Sequence, residues 1–266
     1  MGYSSNKTLF KKYFEKMMYI QSFSMNNVVD ELIEESVFEY KKYFVKFFEY
    51  MAQNCSTKKT EYTDSSYLRN KIDEFGDLFK TDYLNAFTNI KKKKLLEATI
   101  ENKLLKADDL KKKFCGNLLE IINGLYAIDF SIVDGFEFDC WCNNGNDDFM
   151  GVDGILRQKC DKNIRIPMNT KHSNWNEITK FAPFQKLGNW VLMQSRNLGS
   201  DEDKLEMLNL PYYGVIFTDF DTGKWASSNF PNVYVVNDTT LRNKLGKAGL
   251  NIGCVDVWKH WYKIVK

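Results

Sequence analysis

DFMGVDGILRQKCDKNIRIPMNTK, running from Asp148 to Lys171, reads as a β-hairpin. Phe149 to Arg157 is mostly apolar, with Gly151 and Gly154 on either side of Asp153. Cys160-Asp161-Lys162-Asn163 supplies the turn, and Ile164 to Met168 then alternates with period two. The pattern puts an acid, Asp153, on one strand and Asn169-Thr170-Lys171 at the end of the next. Facing positions on paired strands lie ~5 Å apart, or ~7–8 Å diagonally. At that spacing a carboxylate can hold a divalent cation while an ammonium sits beside the water or phosphate it activates.

On either side of the hairpin the periodicity predicts more of the core. Phe136 to Cys142 alternates as a strand ahead of the turn Asn143-Asn144-Gly145-Asn146. Asn176 to Arg196 reads as a helix, Tyr212 to Phe217 and Val233 to Val236 as strands. Thr239 to Lys247 and Cys254 to Val265 read as short helices. Upstream, helices are expected near 5–23, 24–53, 65–79, 83–105 and 108–128, with a polar loop from Gln53 to Ser66. The aromatic stripe Phe38, Phe44, Phe48 is expected to be core. The fold class is therefore α/β (α+β), a mixed sheet preceded by helices, divided at 1–107 and 108–266.

Asp-Gly, a turn, an Ile-Pro-apolar-polar-x-Lys strand and a following helix resemble the core of the PD-(D/E)xK nuclease superfamily. This restriction-endonuclease-like likeness covers roughly the C-terminal half. Asp153 matches its first acid and Lys171 its lysine, while Asn169 stands where the family has Glu, Asp or sometimes Gln. What the resemblance implies is Mg²⁺-dependent (or Mn²⁺-dependent) endonuclease action on DNA. Asp153, Asn169 and the Thr170 carbonyl would hold the metal and Lys171 would position the water. An extra acid often comes from the helix before the first strand, and Glu120 has that placement; Asp134, Glu137 and Asp139 are weaker competitors. An amide oxygen ligates Mg²⁺ without adding charge. Asn169 is thus open to three readings: a tolerated neutral ligand, a degenerate inactive site, or an engineered substitution. His172, Ser173, Gln185 and Lys186 are candidates for substrate phosphates.

Each of these residues also has a structural reading: Asp153 as a turn aspartate at a bulge, Lys171 as a strand-end lysine reaching solvent. Lys91, Lys92, Lys93 and Lys94, with Lys111, Lys112 and Lys113, form the clearest basic cluster, either a solvated helix face or a DNA-binding one. The 37 Lys+Arg against 35 Asp+Glu leave a net charge of +2, so binding of nucleic acid has to come from such local clustering. At 266 residues with 44% hydrophobic content the chain can bury a core. Lys7, Lys11, Lys12 and Lys16 interrupt every early apolar run, so neither a signal peptide nor a membrane span is expected. Six scattered cysteines read as reduced thiols in an intracellular setting; Cys140-x-Cys142 lacks structural zinc spacing. A homodimer is compatible with this reading. The rivals are a degenerate nuclease fold that binds nucleic acid or a protein without cleavage, and an unrelated α/β domain.

Overall fold

The computed structural model describes residues 30–55, 66–86, 107–130, 132–141, 151–171, 181–218, 231–237, 240–241, 243–244 and 255–266. Within them lie six helices: α1 (Asp30–Asn54), α2 (Ser66–Ala86), α3 (Ala107–Phe130), α4 (Phe181–Ser195), α5 (Asp201–Leu208) and α6 (Val255–Val265). Five strands accompany them: β1 (Phe136–Trp141), β2 (Gly154–Gln158), β3 (Arg165–Lys171), β4 (Gly214–Thr218) and β5 (Val233–Val236). No described helix is long and apolar enough to cross a membrane.

The chain divides into two compact units, 1–118 with 253–266, and 119–252. The division falls inside α3 and assigns the last helix to the first unit, whereas the sequence pattern places one boundary at 107/108. In the first unit, Phe44, Phe47, Phe48 and Met51 recur at helical spacing on α1 and are buried. Phe79 of α2 stacks on Phe114 of α3 at 4.6 Å between ring centroids. Trp258 of α6 meets Phe47 and Phe48 at 6.0 and 5.8 Å. Phe44 and Phe48 of the expected aromatic stripe are therefore core, while the Phe38 side chain lies outside the described residues.

Helix α2 runs through the break expected after Phe79 and includes Tyr83. Thr81 explains the difference: its hydroxyl donates to the Asp77 carbonyl one turn back, 3.0 Å away, so a residue that often ends helices is accommodated inside this one. The lysine run at 91–94 lies outside the described residues.

The second unit is a five-stranded sheet in the order β1-β2-β3-β4-β5. β1, β2 and β3 pair antiparallel, while β3, β4 and β5 pair parallel. The sheet is therefore mixed, as the sequence pattern predicts. A parallel β3–β4 pair needs a crossover, which α4 and α5 lie on. Strand β4 is buried at all five positions, as expected of a strand covered on both faces.

One face of the sheet packs Ile155 and Ile216 against Leu187, Trp190 and Val191 of α4. Alternation sends Leu156, Phe138 and Trp141 to the other face, where α3 lies. Gly124 of α3 permits that approach, since a Cβ there would fall 2.3 Å from the Trp141 indole. Gly124→Ala is expected to destabilise the protein by about 1–3 kcal/mol through overpacking, read as a lower midpoint in urea.

The strand expected from Phe149 begins later, at Gly154. Gly151 has φ of 67°, a left-handed conformation that breaks extended geometry and suits glycine. The turn opposite is as expected: Asp161 Oδ1 accepts from the Asn163 amide at 2.8 Å, closing an Asx turn. Helix α5 was not anticipated. Ser200 caps it by accepting from Asp203 N at 3.0 Å, with Asp201, Glu202 and Asp203 in its first turn.

Candidate active site

Asp153 lies just ahead of β2, and its amide donates to the Met168 carbonyl at 2.9 Å, extending the ladder by one step. Gly154 faces Met168 in the register, so Asp153 comes opposite Asn169. Their side chains meet: Asn169 Nδ2 donates to Asp153 Oδ2 at 3.2 Å. The Thr170 backbone amide donates to the same carboxylate oxygen at 2.5 Å. Asn169 Nδ2 also donates to the Gly151 carbonyl, which the positive-φ turn aims inward. The hairpin thus unites the expected acid with the Asn-Thr pair.

Asn169 is 1% exposed, and its Oδ1 finds no hydrogen-bond partner among the described residues. The Thr170 hydroxyl, buried as well, is in the same condition. A buried carbonyl-type oxygen without a donor costs roughly 1–3 kcal/mol, so it marks a place where a ligand or ion would relieve a penalty.

Lys171 is half-buried, in register with Thr218 of β4, and alternates onto the same sheet face as Asn169. Lys186 of α4 approaches from above that face. A Cβ built on Gly151 would lie 3.6 Å from Asn169 Nδ2 and 3.7 Å from Lys186 Cδ. The corner therefore gathers one carboxylate, one amide and the stem of Lys186, with Lys171 two residues along β3. It sits at the carboxyl ends of the parallel strands β3 and β4, where open α/β sheets place ligands.

The other expected residues are distributed more widely. Glu120 is half-buried on α3, one turn before Gly124, on the helix that covers the opposite sheet face. Glu137 and Asp139 are held by arginines: Arg157 reaches them at 2.7 and 3.5 Å, and Arg165 reaches Asp139 at 3.3 Å. Asp134 pairs with Lys244 at 2.5 Å. Those three carboxylates are held in ion pairs of their own. Lys111 pairs with Asp77 at 2.7 Å within the first unit. Burial works against its charge, but the bond to Asp77 and the charges of Asp77 and Asp73 hold its pKa above the ordinary lysine value. Lys112 is exposed. His172, Ser173 and the side chains of Lys113 and Gln185 lie outside the described residues, as do Lys91, Lys92, Lys93 and Lys94.

No family model, curated protein or solved structure matches this chain. The chemistry has to be read from the corner itself.

Among the described residues no three His, Cys, Asp or Glu side chains gather into a metal-binding group. The corner instead offers an oxygen donor set of low charge. Asp153 supplies a carboxylate, Asn169 a buried amide oxygen lacking a donor, and Thr170 a neighbouring carbonyl. Oxygen donors of this kind could hold a hard cation such as Mg²⁺, which keeps several waters and takes one or two carboxylates, but it is the Asn169 nitrogen and not Oδ1 that faces Asp153. The Gly151 carbonyl is an oxygen that the sequence pattern does not single out, although a glycine two residues before the acid is a signal for it.

Proposed function

We propose that the second unit is a divalent-cation-dependent nuclease of the PD-(D/E)xK type that hydrolyses phosphodiester bonds in DNA. The observation that carries the reading is the junction of Asp153 with Asn169 and Thr170 at the end of β3, beside an amide oxygen that lacks a donor. The element order supports it: a helix, the antiparallel strands β1, β2 and β3, the helices α4 and α5, then the parallel strands β4 and β5, which is the order the resemblance implies apart from the added α5. In this reading Asp153 and Asn169 hold Mg²⁺ or Mn²⁺, which supplies Lewis-acid stabilisation and a more acidic water. The Thr170 carbonyl and Glu120 are further ligand candidates. Lys171 orients the attacking water and stabilises negative charge growing on phosphorus. Lys186, with His172, Ser173 and Gln185, contacts substrate phosphates. A homodimer would present two such corners to a duplex.

A second reading has an observation of its own. The Asn169 nitrogen donates to the Asp153 carboxylate, partly satisfying without metal the charge that a cation would otherwise share. That favours a degenerate nuclease fold that binds nucleic acid without cutting it. Supercoiled plasmid incubated with the protein and Mg²⁺ or Mn²⁺, beside Asp153→Ala, separates the two. Metal-dependent nicking that Asp153→Ala abolishes supports cleavage; DNA binding without nicking supports the second reading.

The basic cluster adds a further expectation. Reversing Lys91–Lys94, Lys112 and Lys113 to Glu should weaken DNA binding and lower the log–log salt slope by ~0.9 for each phosphate no longer neutralised. An unchanged slope in a filter-binding titration would identify the run as a solvated face. Lys111 is left intact because it holds Asp77.

A further inference from the structure

A second concavity opens at the other end of the hairpin. It has a volume of about 210 Å³ and is lined by Lys162, Asn163 and Arg165 of the β2–β3 turn region and by Gln194 and Asn197 at the end of α4. Leu198 and the buried Met207 complete the lining. None of the seven lining side chains is acidic. Arg165 meets Asp139 through Nε, at 3.3 Å. Asp161 lies beside the cleft, but its Oδ1 accepts from the Asn163 backbone amide.

We propose that this cleft binds an organic phosphate, specifically a nucleotide or a nucleotide-like strand end. Lys162 and Arg165 both line the cleft, and two cations suit a phosphate, which a guanidinium can engage through two parallel bonds. Three amides, on Asn163, Gln194 and Asn197, offer both donors and acceptors, the pattern needed to read the edge of a base. Leu198 offers a heterocycle some apolar surface at the cleft wall, backed by the buried Met207. A volume of this size suits part of a nucleotide, not a longer ligand lying wholly inside. Arg165 and Asn169 are four residues apart on β3, about 13 Å at strand rise. The cleft is therefore distinct from the Asp153 corner, and the proposal does not depend on cleavage there.

The test is a two-dimensional NMR titration of the isotopically labelled full chain with AMP, adenosine and inorganic phosphate in parallel. AMP is expected to shift the backbone amides of Lys162, Asn163, Asn197 and Leu198, and to bind at least tenfold more tightly than adenosine or phosphate. Lys162→Glu, an exposed turn substitution, should weaken AMP binding at least tenfold while leaving the thermal midpoint unchanged. A 5′-phosphorylated oligonucleotide distinguishes the source: tighter binding than AMP assigns the cleft to a strand end, equal or weaker binding to a free nucleotide. Absence of shifts at these residues with AMP, or AMP binding unaffected by Lys162→Glu, would overturn the proposal.

Discussion

Asn169→Asp is expected to bind Mg²⁺ at least tenfold more tightly than the chain with Asn169 and to cut DNA faster. Asn and Asp are nearly the same size, so packing around this 1% exposed position should hardly change. The electrostatics change a great deal. A carboxylate would replace a donor that now sits 3.2 Å from Asp153 Oδ2. Two like charges ~4 Å apart repel by ~4 kcal/mol at an effective dielectric near 20. The divalent ion attracts the added charge about twice as strongly before desolvation takes its share. Since ~1.4 kcal/mol is a factor of ten in affinity, a small remainder suffices. The like-charge repulsion also has a second readout. In EDTA the variant should melt below the unsubstituted protein, and Mg²⁺ should restore it. A variant equally stable in EDTA, with unchanged affinity by calorimetry, would show that no cation is shared at this corner.

Asp153→Ala is expected to lose Mg²⁺ binding and about 1–3 kcal/mol of stability together. The Thr170 amide loses its acceptor, and a buried donor left unsatisfied carries that penalty. Asn169 Nδ2 keeps the Gly151 carbonyl, which limits the damage. Asp153→Asn separates the two effects, because its amide oxygen can still accept from Thr170 while the charge is gone. Urea denaturation should therefore rank Asp153→Asn near the unsubstituted protein and Asp153→Ala below it, with neither binding Mg²⁺ well. If both variants retained the affinity of the unsubstituted protein, Asp153 would be only a strand-end acceptor.

The pairing of Asp153 with Asn169 was legible because period-two alternation through Ile164 to Met168, anchored by the Asx turn at Asp161, fixes the hairpin register. Asp153 and Asn169 then had to face each other. The buried run at 214–218 was legible for a similar reason, as continuous apolar character identifies a doubly covered strand. Other features were harder. Thr81 inside α2 looks like a break because its local back-bond cannot be distinguished from a cap without the helix around it. The capping signal at Ser200 is present in the sequence but sits in a stretch of charged residues that lacks a clear apolar period. The grouping of α6 with α1 depends on Trp258 finding Phe47 and Phe48, a non-local choice that periodicity does not encode. The capture of Glu137 and Asp139 by Arg157 and Arg165 likewise depends on register across three strands.

The most direct test of the central claim is a titration of the labelled protein with Mn²⁺, whose unpaired electrons broaden nearby NMR signals. A cation held by Asp153 should broaden first the backbone amides of Val152, Asp153 and Thr170 and the Asn169 side-chain amide. Excess Mg²⁺ should reverse it, and Asp153→Asn should show no such effect. Broadening that begins elsewhere, or survives in Asp153→Asn, would contradict a cation site built on Asp153.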